Sequence, residues 1–245
     1  MKFKKYNWLP DIPDNRDKLY VAMPTAIPDK VDLRPFCPVV ENQGSLGSCS
    51  GNAIVGALEI LINKNKKTFV DLSRLFVYYN ERVMERTVNI DAGAIIRDGI
   101  KTIAVSGVCT ELLWPYDIAK FRKKPTAKCY VEATKRIITS YSRLITFEDK
   151  LNCLASGFPF VFGFSVYDSF ETEAVSKTGI MVMPNKYEKF LGGHAVCAVG
   201  YDKIKQVFIV RNSWGPEWGD AGYFYMPFDY VANNNLSDDF WKIQR

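Results

Sequence analysis

Asn42-Gln43-Gly44-Ser45-Leu46-Gly47-Ser48-Cys49-Ser50-Gly51-Asn52 sets a carboxamide, two glycines and a cysteine directly ahead of the segment Ala53 to Ile62. In that segment Ile54, Ala57, Leu58 and Leu61 recur at the spacing of one helix face, so Cys49 is expected at a helix start. Unpaired backbone N–H groups and the positive end of the helix dipole favour an anion there, which is expected to lower the thiol pKa and supply a nucleophilic thiolate. Such a thiol needs a base, and the chain contains a single histidine, His194. It lies in Leu191-Gly192-Gly193-His194-Ala195-Val196-Cys197-Ala198-Val199-Gly200-Tyr201, which alternates like a half-buried strand. Farther on, Val210-Arg211-Asn212-Ser213-Trp214-Gly215-Pro216-Glu217-Trp218-Gly219 places an asparagine after an apolar strand and two tryptophans after the asparagine.

A cysteine near the start of a domain, a histidine 145 residues later and an Asn-Ser-Trp-Gly soon after together resemble the papain family of cysteine peptidases. The likeness is to compact microbial and giant-virus members without a long pro-segment. It implies an α+β fold of two lobes, one helical and one an antiparallel β-rich lobe, with the active-site cleft between them. It also implies roles: Cys49 as nucleophile, His194 as acid and base, Asn212 orienting His194, and Gln43 with the Cys49 backbone N–H forming the oxyanion hole. Gly93, Gly193 and Trp218 take the substrate-binding positions, Trp218 on the leaving-group side, and Trp214 shields the Asn212–His194 bond from water. The chain departs from the family pattern at Leu46, where secreted members carry a bridged cysteine, and at Ser50, where a tryptophan is usual. Asp91-Ala92-Gly93-Ala94 likewise replaces a cysteine and a double glycine.

Composition limits the alternatives. With 47% apolar and 24% charged residues over 245 positions, the chain can build a sizeable core as an ordinary globular protein. The net charge of +5 is scattered apart from Lys64 to Lys67 and Arg122 to Lys124, which read as solvated turns and not as a nucleic-acid surface. No stretch has the apolar length of a membrane span, and Met1 to Asn7 does not open a secretory signal. The six cysteines, Cys37, Cys49, Cys109, Cys129, Cys153 and Cys197, include no Cys-x-x-Cys pair, so neither a structural metal nor a cofactor is expected. With the bridged cysteine missing, a reducing compartment such as the cytoplasm is expected, or a virion if the source is viral. Cys197 reads as a core residue, and Cys109 and Cys129 flank one loop-rich region where they could approach each other. The expected partners are peptide or protein substrates acting on a monomer.

Residues 1–30 form an irregular arm. Its prolines at 10, 13, 24 and 28 forbid a long helix, so Trp8, Leu9, Ile12, Tyr20 and Val21 can be buried only by docking onto the domain that follows, residues 31–245. That docking is either a strap across a lobe or a segment lying over the cleft. The Cys49 helix is expected to end in a turn from Asn63 to Lys67. Asp71-Leu72-Ser73 then caps a helix with Leu75, Phe76, Tyr79 and Val83 on one face, and a third helix carries Ile95, Ile96, Ile100, Ile103 and Ala104 until Gly107. Trp114-Pro115-Tyr116 is a turn and Phe121 to Lys128 an exposed loop. Strands are expected from Ile137 to Ile145, Phe158 to Val166, Ile180 to Met183, His194 to Tyr201, Val207 to Arg211 and Gly222 to Met226, with a short helix capped by Thr146 and Asp149 running through Leu154. Two other functions share these residues: acyl transfer to an amine through the same Cys and His, and a non-catalytic binding protein that keeps the fold.

Overall fold

The computed structural model describes residues 6–22, 26–66 and 69–245; Met1 to Lys5, Pro24 and Lys67, which figure in the expected arm and turn, lie outside them. The helices are α1 (Cys49–Lys66), α2 (Arg74–Met84), α3 (Ile96–Ser106), α4 (Ala127–Ala133), α5 (Phe147–Ala155), α6 (Glu173–Thr178) and α7 (Phe228–Ala232). The strands are β1 (Lys30–Asp32), β2 (Ser140–Arg143), β3 (Phe160–Tyr167), β4 (Phe190–Asp202), β5 (Val207–Arg211), β6 (Tyr223–Pro227) and β7 (Ser237–Gln244). They form one antiparallel sheet in the order β2-β7-β3-β4-β5-β6, with β1 added on β4. The helical lobe is α1 to α3, and the sheet with its flanking helices is the other.

Cys49 is the first residue of α1, as its sequence context requires. The helix differs from expectation in two ways. It continues through Asn63 to Lys66 where a turn was expected, and every residue from Cys49 to Asn63 is buried, not one face only. A helix buried all round belongs to the centre of a protein, and α1 packs against α2 and α3 on one side and β4 on the other. Its polar residues are accordingly partnered: Ser50 Oγ donates to Glu81 Oε2 at 2.9 Å, and Glu59 Oε1 accepts the Leu72 N–H at 2.8 Å. Burial pushes the carboxyl groups of Glu59 and Glu81 up to about 8, so both are held mainly protonated at neutral pH.

Ser73 caps α2 by accepting from the Phe76 N–H, and Leu75, Phe76 and Tyr79 are buried; Val83, expected on the same face, is 49% exposed. Gly107 ends α3 at φ 71°, a left-handed turn that favours glycine. Thr146 and Asp149 form the reciprocal capping box of α5. The loop expected through Lys128 gives way to α4 at Ala127. The strand expected over Ile137 to Ile145 shortens to Ser140–Arg143, and Ile180 to Met183 makes only an isolated bridge from Ile180 to Tyr225. Two strands escaped notice. Lys30 and Val31 pair with Asp202 and Tyr201, and the C-terminal Ser237–Gln244 inserts between β2 and β3. Of the five apolar arm residues expected to dock, only Trp8 is buried; Leu9, Ile12 and Val21 are 52%, 72% and 83% exposed.

Candidate active site

The first turn of α1, the strand β4 and the loop after β5 meet at one point. His194 on β4 is fully buried, and its Nε2 lies 2.8 Å from Asn212 Oδ1. Asn212 Oδ1 also accepts the Ser213 N–H at 2.9 Å, which turns the carboxamide oxygen toward the ring. An oxygen acceptor requires Nε2 to carry the proton, so Nδ1 is left as the basic nitrogen. Trp214 stacks on the imidazole with centroids 5.0 Å apart and planes 22° from parallel. Trp218 is buried edge-on against Trp214 and packs on Phe170 and Phe224.

Gln43 is buried beside this group. Its Oε1 accepts from Ser213 Oγ at 2.5 Å and its Nε2 donates to the Leu46 carbonyl at 2.9 Å, which orients the amide between the two lobes. Two residues without a sequence signal hold this loop. Tyr116 donates its hydroxyl to the Gln43 carbonyl at 3.0 Å and lies 2.5 Å from Ser48 Oγ. Asp91 accepts from the Gly47 N–H at 3.0 Å and from the Tyr78 hydroxyl at 2.5 Å. Their spacing along the chain gives no periodic cue, and only the tertiary fold brings them to the loop.

The backbone N–H groups of Ala195, Ser50 and Asn7 favour the ionised form of Cys49. The expected lowering of its pKa is reversed: burial pushes the thiol up to about 11, because loss of water outweighs these N–H donors. The residue is 1% exposed. What covers it is the arm. The Trp8 N–H donates to the Gly193 carbonyl at 2.9 Å, and Asn7 and Trp8 make parallel bridges to Gly193 and Ala94. Tyr6 stands edge-on to His194 and Trp214, with centroids 6.0 and 6.1 Å away. Asn7 crosses directly over Gly93, at φ 78°, where an added Cβ would lie 1.9 Å from the Asn7 carbonyl oxygen. The Gly93 N–H is itself donated to the Tyr78 hydroxyl at 3.2 Å, so the backbone pairing falls one residue later, at Ala94.

A second set of contacts pins the arm beyond Trp8. The Asp11 N–H donates to Asp239 Oδ2 at 2.7 Å, and Asp11 Oδ2 accepts from Trp241 Nε1 at 2.8 Å. Arg97 pairs with Asp17 at 2.9 Å and donates to the Ile12 carbonyl, while Arg143 reaches Asp239 at 3.0 Å. Burial raises the pKa of both Asp11 and Asp239, the latter to about 7.

The other cysteines are outside the site. Cys197 is a buried core thiol, and Cys109 and Cys129 are free, buried and close enough for Cys129 to help raise the Cys109 thiol, after burial itself. Among the described residues no group of three or more His, Cys, Asp or Glu could hold a metal ion, and no helix is long and apolar enough to cross a membrane.

Residues 27–238 match the family described as papain family cysteine protease. An uncharacterized peptidase C1-like protein of Acanthamoeba polyphaga mimivirus is 43% identical over 271 aligned positions, covering 98% of this chain and 87% of the relative. Among solved structures, xylellain, a cysteine protease from Xylella fastidiosa, superposes with a TM-score of 0.91 at 43% identity, covering 100% of this chain and 98% of the other. Digestive procathepsin L 3 of Tenebrio molitor shares the fold at 18% identity, with a TM-score of 0.75 over 94% of this chain and 74% of the other.

Proposed function

The chain belongs to the papain family of cysteine proteases and hydrolyses peptide bonds in peptide or protein substrates, and from that premise we propose that Cys49, His194, Asn212 and Gln43 carry the reaction while the arm holds the enzyme latent. In this reading His194 Nδ1 takes the thiol proton and the Cys49 sulfur attacks the substrate carbonyl. The protonated imidazole then gives that proton to the leaving amine, and water hydrolyses the thioester with the same ring as base. The observation that carries it is the 2.8 Å bond from His194 Nε2 to Asn212 Oδ1, one residue along β4 from Ala195, whose N–H favours the Cys49 thiolate. This bond fixes the tautomer without adding a charge. In this reading Gln43 Nε2 and the Cys49 backbone N–H receive the oxyanion, the contribution that typically supplies the largest electrostatic share of such catalysis.

Latency follows from coverage. Tyr6, Asn7 and Trp8 occupy the ground a substrate must cross, and they keep water from a thiol whose ionised form is the nucleophile. Displacing them rehydrates Cys49 and lowers its pKa toward the range a helix start favours. The test is mass spectrometry after treatment with a peptidyl epoxide. Trp8→Ala protein is expected to gain one adduct, on Cys49, faster than wild type does, and Cys49→Ala in the same background none. An adduct formed as fast on Cys109 or Cys197 would assign the nucleophile elsewhere.

A further inference from the structure

Behind the bond from His194 to Asn212 the two lobes do not close completely. Asn52 in the first turn of α1 and Arg74 on α2 meet Arg211 at the end of β5 and Asn212 just after it, with two small cavities of about 10 Å³ each between them. Asn52, Arg211, Asn212 and Ser213 line both cavities, and Arg74 lines one.

The polar atoms at these cavities are complementary. Asn212 uses its carboxamide oxygen twice, on His194 Nε2 at 2.8 Å and on the Ser213 N–H at 2.9 Å. Asn52 uses the other end of its amide: Nδ2 donates to the Ser48 carbonyl at 2.9 Å and to Ser48 Oγ at 3.1 Å. Neither amide can be turned over, because the Ser213 N–H is only a donor and the Ser48 carbonyl only an acceptor. Arg74 pairs its terminal nitrogens with Glu41 at 2.6 Å and Glu111 at 3.2 Å. This leaves Asn212 Nδ2, Asn52 Oδ1 and Arg74 Nε buried with no hydrogen-bond partner among the described residues. The three side chains belong to residues only 4%, 7% and 6% exposed. Two donors and one acceptor thus line a space of the size a single water needs, and a buried water typically makes about three hydrogen bonds.

We propose that an ordered water in this space joins Asn212 to Asn52, and that Asn52 is thereby a positioning residue for His194. The proposal rests on the reading that Asn212 orients His194. The water oxygen accepts from Asn212 Nδ2 and Arg74 Nε, and one of its O–H groups donates to Asn52 Oδ1, so each unpaired atom is satisfied. Such a bridge is nearly as good as a direct hydrogen bond. It also holds the plane of the Asn212 amide, and by drawing on Nδ2–H it makes Oδ1 a stronger acceptor for the ring N–H. The gain is greatest when the imidazole is protonated, since a charged donor makes the stronger bond. Asn52 acts through the water and Asn212, and not on the substrate.

The experiment uses the full chain carrying Trp8→Ala, with and without Asn52→Leu, which fills a similar volume and offers no acceptor. The chain has one histidine, so the imidazole resonances of isotopically labelled protein report on His194 alone. Asn52→Leu is expected to lower kcat by roughly five- to a hundredfold, the range that follows from leaving one buried donor unpaired, with KM within about threefold. The Nε2–H proton should move upfield as its bond to Asn212 Oδ1 weakens. With Asn52 in place, the Asn212 side-chain amide protons should show a nuclear Overhauser contact to a long-lived water; this tests the proposal even where the leucine protein does not fold. Absence of that contact, or an unchanged kcat and Nε2–H resonance in folded Asn52→Leu protein, overturns the proposal. Failure of the Asn212 reading shows separately, as Asn212→Ala protein in which kcat and the Nε2–H resonance stay as they were.

Discussion

Removing the Trp8 side chain should release the arm, and the size of the effect follows from what the indole buries. A buried tryptophan removes about 150–250 Å² from water, which at about 25 cal/mol per Å² corresponds to roughly 4–6 kcal/mol. The indole N–H, buried without a partner, subtracts about 1–3 kcal/mol. The net contribution to docking is about 1–5 kcal/mol, and since each 1.4 kcal/mol is tenfold, Trp8→Ala should shift the closed-to-open ratio by roughly 5- to 4,000-fold. The backbone bond from the Trp8 N–H to the Gly193 carbonyl survives the change, so the difference reports the side chain alone. The assay is the second-order rate of Cys49 alkylation by iodoacetamide at pH 7.5, with circular dichroism to confirm the fold. The rate should rise by that factor, up to the point where the open form dominates. A folded Trp8→Ala protein whose Cys49 reacts within about threefold of wild type would refute the reasoning, because the arm would then be no barrier to the thiol.

In the Trp8→Ala background, His194→Ala should lower kcat by roughly a hundred- to ten-thousandfold with the fold intact, and Asn212→Ala by less, since orientation is partly replaceable by solvent; equal losses in steady-state kinetics would remove the distinction between base and orienter. Gln43→Ala should cost about a hundredfold or more in kcat and also lower the melting temperature, because Ser213 Oγ and the Leu46 carbonyl lose their partner; an unchanged kcat would exclude it from the oxyanion site. Arm docking should weaken as pH rises toward about 7. The docked Asp239 carboxyl is raised to about 7, by burial first and then by Asp11, so the closed form holds a proton that the released form gives up. Docking is therefore fully stabilised below the ordinary carboxylate range of about 4, falls by at most about tenfold per pH unit per proton between there and about 7, and levels off above. Arg143, Arg97, Asp17 and Asp238 surround the pair. Hydrogen exchange at the Trp8 amide, corrected for intrinsic rate, should show this slope in wild type and lose it in Asp239→Asn; the same slope in both would place the proton elsewhere.

The proposed reacting groups were legible in the chain because their chemistry leaves few choices. A single histidine, a cysteine heading an apolar-periodic segment and an Asn-Ser-Trp-Gly after a strand point to the proposed base, nucleophile and orienting amide before any contact is known. Capping signals behaved the same way: Ser73 and the Thr146–Asp149 pair begin their helices where local hydrogen bonding alone places them. The prolines of the arm likewise established that it could be ordered only by docking. Tertiary structure decided the rest. No local pattern could show that α1 is buried on every side, since its second apolar face is defined by the sheet it meets. Nor could it show that the C-terminal segment enters the sheet between β2 and β3, a pairing about 70 to 105 residues distant along the chain. The direction of the Cys49 pKa shift was misread for a related reason. The helix start is local and favours the thiolate, but desolvation is set by whatever lies on top of the sulfur, and that is Asn7, forty-two residues earlier in sequence. Proline stiffness left open whether the arm straps a lobe or crosses the cleft; a recess at Gly163, formed only when β3 and β4 pair, is what receives Trp8 and settles its path.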